Sequence, residues 1–372
     1  MIVLHFAPIN MKTSNGFRFS VPGLVSAQNK IMNVTAGLVN VGKRENLIEE
    51  EIKNYDFEFL DFTENILRLK VPFNCPDIVI FHGVYNIKYI KIYKQLLRKS
   101  IPYIIVPRVS LTIGAQQQKW LKKQLGNLLL FNKFIKNAKM IHFLTENEMK
   151  LSKKFLGNYF VIPNGIHIPD EYKKSIGSNL NLTYMSRYDI HHKGLDILLK
   201  AIIKIQNILV NERVTINFYG SDFHGGKKYL ETKVKEYSVE NVIKINDAIF
   251  GNRKSEVLKN TDIFILTSRF EGHPMAVIEA MSYGIPCILT SGTNMVDILR
   301  RYDAGWETKL DSESIAETII KAISEKNEIL KKGINARKLA IENYNWNVIA
   351  QNTVKHYHNI LNTMQKKTNS YY

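Results

Sequence analysis

Short apolar runs alternate with longer amphipathic stretches along the whole chain, and this alternation limits the folds that it can adopt. Ten runs have the length and composition of strands: IVLHFA, IVIFHG, YIIVP, MIHFLT, YFVIPNG, LTYMS, TINFYG, VIKIN, DIFILTS and PCILTS. Stretches such as 194–209 and 313–325 show helical periodicity between them. Strands that alternate with helices predict parallel sheets covered on both faces, so the predicted fold class is α/β.

The chain length of 372 residues exceeds what one hydrophobic core usually organises, so two domains are predicted. A polar segment with glycine and proline lies near residues 165–180 and has the composition of a linker. We therefore place one domain at 1–168 and a second at 172–346. Ligands of open parallel sheets bind outside the carboxyl ends of the strands, so residues that follow strands are the candidates for a functional site.

Composition excludes some classes of protein and leaves others open. A net charge of +17 suits nucleic acid, an anionic membrane surface or phosphorylated small molecules, although a lysine-rich composition explains it equally well. The two cysteines, Cys75 and Cys287, form no CxxC pair and indicate a reducing compartment. The start MIVLHFAPIN reads as a first strand rather than a signal peptide, and no apolar run reaches the roughly 18 residues of a membrane span. These features predict a cytoplasmic protein and leave peripheral contact with the cytoplasmic membrane face open.

Two glutamates bracket a turn in the stretch SRFEGHPMAVIEAMSYG, residues 268–284, which follows a predicted strand. Pro274 suits the first turn of a helix, and Gly284 suits the cap at its C-terminal end. Glu271 would then lie in the loop before the helix, while Glu279 would lie about one turn inside it. Glu279 has apolar neighbours, which is unusual for a carboxylate without a function.

The start of this predicted helix is suited to an anion such as a phosphate. The N–H groups of Met275, Ala276 and Val277 have no partner inside the helix and would point outward from its positive end. Carboxylates beside such a site suit sugar hydroxyls, from which Glu271 and Glu279 can accept hydrogen bonds. The alternative is that the two glutamates are an ordinary loop charge and a solvated helix charge.

A second group of polar residues occurs in LTYMSRYDIHHKGLDILLKAI, residues 182–202. Arg187 and Lys193 follow the end of a strand and precede a helix, where two cations suit a diphosphate and could neutralise a departing phosphate. Two surface cations are the alternative in so basic a chain. His191 and His192 are adjacent and point in different directions, so they make a poor metal pair and are interpreted as loop residues.

These motifs together resemble a known family. SRYDIHHKGLDILLKAI resembles the G-R-L…K-G-x-D-x-L-I-x-A segment of retaining glycosyltransferases of family four, and FEGHPMAVIEAMSYGIPCILT resembles their E-x7-E motif. VIPNGI (161–166) and NFYGSD (217–222) are similar to two further strand ends of that family. The segments occur in the family's order and cover nearly all of the second domain, whereas the first domain resembles the family more loosely.

The resemblance implies a GT-B fold, in which two Rossmann-like domains with parallel sheets face each other across a cleft and the C-terminal domain binds a nucleotide-sugar donor. It also implies that the last helix, about residues 347–372, packs back on the N-terminal, acceptor-binding domain. Arg187 and Lys193 would hold the donor diphosphate and, with Glu271 at the donor sugar, form the catalytic set. Glu279 would accept hydrogen bonds from the ribose.

The resemblance assigns further donor-binding positions, mostly through backbone contacts: Gly16, Gly220, Gly272, His273, Pro274, Met275, Ala276 and Val277. It implies no cofactor and no metal ion, and the chain has no D-x-D motif. The cationic side chains would then take the role that a metal ion has elsewhere.

The first domain offers three further candidates for the cleft or the acceptor. Asn15 and Gly16 stand where the family has a glycine pair in its first loop, although Gly16 could equally be a plain turn residue. Many relatives carry His-Gly after the proline of VPRVSLT, where this chain has Arg108 and Val109, so Arg108 is a candidate replacement for that histidine. His82, after the second predicted strand, is a candidate cleft residue, with a structural histidine as the alternative.

Residues 119–139 form a basic amphipathic stretch with six lysines. Such a helix can lie on an anionic membrane, and the alternative is a helix whose apolar side covers the sheet. We expect most apolar positions to face the sheet, with the lysines and Trp120 available to a lipid surface. No recognition helix, zinc-finger spacing or RNP-type pattern occurs, so nucleic acid is not an expected partner.

The resulting hypothesis is a metal-independent retaining hexosyltransferase. It would move a hexose from a nucleotide-diphosphate sugar, with UDP as the expected nucleotide, to a glycan or a lipid-linked saccharide in the synthesis of a capsule or lipopolysaccharide. Two alternatives remain open from the sequence: a GT-B sugar-nucleotide epimerase, which needs no acceptor, and a non-catalytic protein that binds nucleotide sugars.

Overall fold

The computed structural model of the protein describes residues 1–9, 17–42, 55–117, 120–173 and 175–369. The chain forms two compact units. The first combines Met1–Ile166 with Asn345–Tyr372, and the second is His167–Tyr344. Both are α/β units, as the alternation of strands and helices predicts, and their limits fall within a few residues of the predicted ones.

The first unit is built on a parallel sheet of seven strands in the order β3-β2-β1-β4-β5-β6-β7. The strands are β1 (Ile2–Ala7), β2 (Thr35–Asn40), β3 (Glu58–Asp61), β4 (Ile78–His82), β5 (Tyr103–Val106), β6 (Met140–Phe143) and β7 (Tyr159–Val161). The central strands are buried along almost their whole length because helices cover both faces, which explains their continuous apolar sequences.

Helices and short turns connect these strands. They are α1 (Phe17–Asn29), α2 (Ile87–Arg98), α3 (Ile113–Gln117), α4 (Trp120–Gly126), α5 (Asn132–Lys136) and α6 (Glu146–Leu151), with 3-10 turns at Ile66–Arg68 and Lys153–Phe155. A π-helical turn, Asn127–Phe131, separates α4 from α5. A π turn has hydrogen bonds between residues five apart, whereas those of an α-helix join residues four apart. The turn therefore changes which side chains after it face the sheet.

The described part of the basic amphipathic stretch agrees with the expectation that most of its apolar side chains cover the sheet. Phe131, Phe134 and Ile135 are buried in the core, and Leu130 packs against it, as expected. Leu125, Leu128 and Leu129 are instead exposed, the last two by 73% and 62%. Most of the described apolar side chains of this stretch thus belong to the core, and these three leucines are exposed to solvent.

The second unit is built on a parallel sheet of six strands in the order β10-β9-β8-β11-β12-β13. The strands are β8 (Leu180–Met185), β9 (Val214–Gly220), β10 (Ile243–Asp247), β11 (Ile263–Leu266), β12 (Cys287–Thr290) and β13 (Gly305–Thr308). The helices are α7 (Leu195–Lys204), α8 (Gln206–Asn211), α9 (Gly226–Glu236), α10 (Gly251–Lys259), α11 (Met275–Ser282), α12 (Val296–Tyr302), α13 (Ser312–Ser324) and α14 (Lys326–Tyr344), with a 3-10 turn at Ser291–Thr293.

The last helix, α15 (Trp346–Asn369), belongs to the first unit and packs against α1. Its first residue, Trp346, lies against Gly23 and Gly165. A Cβ at either glycine would come within 2.5 Å of the indole ring, so only glycine permits this packing. Side chains of α15 complete the first unit's core, as the resemblance implies for the last helix.

Candidate functional site

The candidate site of the second unit lies after β8 and β11, which are neighbours in the sheet. The loop after β8 ends at Gly194, whose φ of +67° favours glycine. A Cβ at Gly194 would lie 2.1 Å from the carbonyl oxygen of Thr267, the first residue after β11. This close approach brings together the two loops that carry the predicted site residues.

Lys193 and Glu271 form an ion pair at the contact between these loops. Lys193 Nζ lies 2.6 Å from Glu271 Oε1, and the two side chains are only 9% and 10% exposed. The hydroxyl of Ser268 donates to the same carboxylate oxygen at 2.6 Å. Two charges so far from water need this mutual contact, since each alone would pay most of its desolvation cost without compensation.

Arg187 occupies a more open position in the same loop. Its side chain is 38% exposed, and its guanidinium lies over the ring of Phe223 at 4.7 Å. It contacts the carboxylate of Asp189 at 3.5 Å and Nδ1 of His192 at 3.2 Å. These contacts support the guanidinium on one side and leave it accessible, as a ligand-binding cation must be.

His192 joins the two loops, a role that the sequence did not indicate. Its Nε2 lies 2.6 Å from the carbonyl oxygen of Phe270, and its ring stacks on the Phe270 ring at 4.0 Å. Partial burial, and then the charge of Lys193, lower the pKa of His192. A neutral ring with its proton on Nε2 donates to Phe270 and accepts from Arg187. His192 therefore orients Arg187, whereas the sequence analysis interpreted it as a plain loop residue.

The loop that carries Glu271 is fixed from several directions. Arg269 makes a bidentate ion pair with Asp196 of α7, with both N–O distances 2.8 Å. Asn294 Nδ2 donates to the carbonyl oxygen of Glu271 at 2.5 Å. A Cβ at Gly292 would lie 2.3 Å from the carbonyl oxygens of the loop, so the 3-10 turn after β12 packs directly against it.

The start of α11 agrees with the prediction in all but one respect. Pro274 precedes the first helical residue, and Gly284, with φ of +74°, follows the end of the helix. The N–H groups of Met275 and Ala276 donate no backbone hydrogen bond to any of the described residues. Val277 N–H, however, donates to the carbonyl of Pro274 at 3.0 Å, so the expectation of a free amide at Val277 is wrong.

Glu279 has a partner that the sequence did not reveal. Its Oε2 forms an ion pair with Nζ of Lys254 from α10, and both side chains are about one-third exposed or less. The carboxylate is therefore held in a defined position at the surface of α11 by its ion pair with Lys254. Its spacing from Glu271 along the chain gave no indication of this lysine.

The other predicted positions of the second unit have structural contacts of their own. Gly220 ends β9, where a Cβ would lie 2.1 Å from the carbonyl oxygen of Ser186. This glycine therefore allows the loops after β8 and β9 to approach each other. Gly272 lies in the loop between Glu271 and α11, and the ring of His273 lies 5.7 Å from that of Tyr344.

Candidates in the first unit follow its strands. His82 is the buried last residue of β4, bonded to His5 at 2.9 Å, which fits the structural alternative. Arg108 follows β5 and contacts His82 and the hydroxyl of Ser20. Asn15 and Gly16 lie outside the described residues.

The described part of the chain has neither a cluster of metal ligands nor a membrane-spanning helix. No group of three or more His, Cys, Asp or Glu side chains there could hold a metal ion. Likewise, none of the described helices is long and apolar enough to cross a bilayer. The absence of a metal cofactor stays a prediction.

Solved structures define the class of fold. The Anabaena protein Alr3699/HepE, solved in complex with UDP and glucose, aligns with a TM-score of 0.73 over 96% of this chain and 100% of its own, at 16% identity. TarM aligns with a TM-score of 0.72 over 97% and 98% of the two chains, at 13% identity. The chain therefore has the GT-B fold, and the predicted fold class is confirmed.

Sequence comparison then gives the family. Residues 170–339 match the family model described as Glycosyl transferases group 1. The matched residues lie within the second unit, which is therefore similar to this family, and the resemblance seen in the motifs is confirmed there.

Curated relatives match only part of this chain. Protein CapJ of Staphylococcus aureus is 25% identical over 56% of this chain and 54% of its own length. The Escherichia coli UDP-Gal:alpha-D-GlcNAc-diphosphoundecaprenol alpha-1,3-galactosyltransferase is 25% identical over 45% of each chain. The capsular polysaccharide biosynthesis glycosyltransferase CapH of S. aureus is 29% identical over 48% of this chain and 49% of its own. The chain thus spans about half the length of these relatives.

Proposed function

We propose that the protein is a retaining glycosyltransferase that moves a hexose from a UDP-sugar to a glycan or lipid-linked saccharide acceptor in the synthesis of a surface polysaccharide. The observation that carries this proposal is the Lys193–Glu271 pair at the junction of the two loops. The accessible cation Arg187 is linked to these loops through His192, and the start of α11 follows Glu271 directly.

The charges of this site suit the parts of a nucleotide sugar. Arg187 and Lys193 supply cations for the diphosphate, and the N–H groups of Met275 and Ala276 supply donors at the positive end of α11. Glu271 can accept from hydroxyls of the sugar. Two relatives support UDP as the nucleotide: HepE was solved with it, and the E. coli enzyme is named for UDP-Gal.

In the proposed reaction the bond between the anomeric carbon and the phosphate oxygen breaks, and the electron pair stays on the phosphate. The acceptor hydroxyl bonds to the same face of the anomeric carbon, and its proton passes to the departing phosphate. Charge grows on that phosphate in the transition state, where Arg187 and Lys193 stabilise it. We propose that these cations do so without a metal ion.

A donor screen followed by a transfer assay tests this function. We expect a UDP-sugar at about 100 times its dissociation constant to stabilise the protein by about 2.7 kcal/mol, and other nucleotide sugars to do so less. With an acceptor present, mass spectrometry should detect free UDP and an acceptor that is heavier by one hexose. The rate of this transfer should be the same in the presence of EDTA. Conversion of the donor without an acceptor would instead indicate an epimerase, and binding without conversion would indicate a non-catalytic protein.

We also propose that the exposed leucines of the basic stretch bring the protein to an anionic membrane surface. Leu128 and Leu129 lie on the π turn, and residues 113–139 contain six lysines but no acidic residue. Apolar side chains that enter the headgroup region and lysines that meet anionic lipids are the two contributions to such binding. The acceptor of the E. coli relative is a diphosphoundecaprenol-linked sugar, which would lie at such a surface.

Cosedimentation with vesicles tests the membrane contact. Replacing Leu128 and Leu129 by glutamate should abolish binding to vesicles that contain anionic phospholipid, and neutral vesicles should bind the unaltered protein weakly. Ile334→Glu is the matched control, because Ile334 is equally exposed but lies in α14 of the second unit. Equal binding by the double variant and the control would exclude this surface.

A further inference from the structure

A line of polar side chains runs through the interior of the first unit and ends at Arg108. Arg108 Nε lies 3.4 Å from His82 Nδ1, and His82 Nε2 lies 2.9 Å from His5 Nδ1. Gln28 Oε1 lies 2.8 Å from His5 Nε2, and Gln28 Nε2 lies 3.1 Å from the hydroxyl of Thr353. Every member except Arg108 is buried. The line therefore links the loop after β5 to the last helix, α15.

The direction of each hydrogen bond in this line is fixed because an arginine can only donate. His82 accepts at Nδ1, so its proton is on Nε2 and is donated to His5. His5 in turn carries its proton on Nε2 and donates to Gln28, whose amide group donates to Thr353. Burial, and to a lesser extent the charge of Arg108, lower the pKa of His82 well below its ordinary range, and burial lowers the pKa of His5 to about 4. Both histidines are neutral at physiological pH, and Arg108 is the single charge of the line.

No carboxylate in the described part of the chain forms an ion pair with Arg108, although the nearby charge of Glu148 partly offsets the burial that lowers the pKa of Arg108 to about 10. Its guanidinium contacts Ser20 Oγ at 2.9 Å, the ring of Phe17 at 5.0 Å and Nδ1 of His82 through two nitrogens. The buried carboxylate of Glu148 is occupied by backbone N–H groups instead. An arginine has five N–H donors, and three of them have acceptors among the described residues, so two are available to a ligand with respect to this part of the chain.

The backbone at Arg108 is strained. Arg108 and Val109 have φ values of +51° and +63°, a region that a β-branched residue rarely adopts. Such conformations are unfavourable for residues other than glycine, and such strain is concentrated at ligand sites. Glu148 holds the loop, because Val109 N–H donates to it at 2.5 Å and Leu144 N–H at 2.9 Å. The fold thus stabilises an unfavourable backbone that presents a cation.

We propose that Arg108 binds a phosphate group of the acceptor, and that His82 and His5 position its guanidinium. The inference rests on the proposed function, in which Arg187 and Lys193 of the second unit bind the donor diphosphate, so that Arg108 is available for a phosphate of the acceptor. Arg108 follows β5 at the carboxyl end of the sheet, where ligands of such sheets bind. A planar guanidinium with two available donors suits the paired oxygens of a phosphate.

Binding of farnesyl diphosphate to the full chain, with UDP at a saturating concentration to occupy the donor site, tests the role of Arg108. We expect Arg108→Gln to weaken binding about tenfold or more, equivalent to about 1.4 kcal/mol. Arg98→Gln, which removes an exposed arginine at the end of α2, should bind as the unaltered protein does. Inorganic pyrophosphate distinguishes the sources of phosphate: tighter binding of the prenyl compound supports a lipid-linked acceptor. Equal farnesyl diphosphate binding by Arg108→Gln and Arg98→Gln would overturn the inference.

A pair of substitutions at His82 tests positioning separately from folding. Gln can accept from Arg108 and donate to His5, whereas Leu can do neither. We expect His82→Leu to weaken farnesyl diphosphate binding nearly as much as Arg108→Gln, and His82→Gln to restore most of the affinity. If affinity follows the melting temperature rather than the hydrogen-bonding capacity, the positioning role is wrong. Arg108→Lys, which keeps the charge but not the planar donors, should have intermediate affinity and provides the test if His82→Leu does not fold.

The same titrations separate this inference from the proposed function. Binding of UDP depends on the second unit and should be unchanged in all these variants. Failure of UDP to bind the unaltered protein would contradict the proposed function, while the dependence of farnesyl diphosphate binding on Arg108 is measured independently. Normal UDP binding without any effect of Arg108→Gln would contradict the inference alone.

Discussion

Replacing Arg187 by glutamine is expected to lower turnover by about 10²–10³-fold, the usual effect of removing one group that stabilises transition-state charge. The loss of stability should be small. The guanidinium is 38% exposed, and its contact with Asp189 is 3.5 Å long, so little of the folded state depends on it. The measurements are the transfer rate at saturating UDP-sugar and the melting temperature of the same preparation.

Arg300→Gln is the matched control for this substitution. Arg300 lies in α12, has an exposed side chain and forms an ion pair with Glu307. Its replacement by glutamine therefore removes a comparable surface contact. Its turnover should equal that of the unaltered protein. A His192→Phe variant should reproduce part of the loss, because Arg187 would lose the ring nitrogen that orients it. Full activity of Arg187→Gln would remove this residue from the site.

Lys193 should behave differently, because its loss should reduce stability as well as turnover. Lys193→Met leaves the carboxylate of Glu271 nearly buried without its cation, and Glu271→Gln leaves the cation without its carboxylate. Breaking a buried ion pair in this way costs about 3–5 kcal/mol. We expect each single variant to lower the free energy of unfolding by an amount of this order and to lose transfer activity. Turnover alone therefore cannot separate catalysis from folding at this position.

The double variant Lys193→Met/Glu271→Gln makes the test quantitative. Because neither charge is then left alone, its loss of unfolding free energy should be smaller than the sum of the single losses. The exposed pair of Lys204 and Glu313 provides the control cycle, and its variants should unfold like the unaltered protein. If the losses of unfolding free energy in the two single variants add up to that of the double variant, the contact between Lys193 and Glu271 contributes no interaction energy.

The strands show how far periodicity predicts the fold. All ten predicted strands are present, but β2, β3 and β13 were missed. β2, TAGLVN, has a glycine at its centre because the ring of Phe73 packs there, 2.6 Å from where a Cβ would lie. β3 and β13 are four-residue strands at the edges of their sheets, and each carries glutamate. Their strand conformation comes from pairing with a neighbour, which the local sequence does not encode.

The site shows a similar division between local and long-range information. The positions of Arg187, Glu271 and the start of α11 follow from strand ends and helix signals, which are local. The contact of Lys193 with Glu271 joins residues 78 positions apart, and the partner of Glu279, Lys254, comes from another helix. Such contacts depend on how the loops pack. The amide of Val277 was wrongly predicted because the first turn of α11 is tightened, so that its N–H donates to the carbonyl oxygen of Pro274 at 3.0 Å.

The return of α15 to the first unit has a consequence for synthesis of the protein. The second unit is one continuous segment, 167–344, whereas the first unit needs residues from both ends of the chain. Trp346 and Tyr357 belong to the core of the first unit, so this core is completed only when α15 has left the ribosome. Domains generally fold in the order in which they emerge, with the N-terminal one first. In this protein all residues of the second unit are synthesised before the last helix of the first unit. The second unit can therefore complete its fold first, which is the reverse of the usual order.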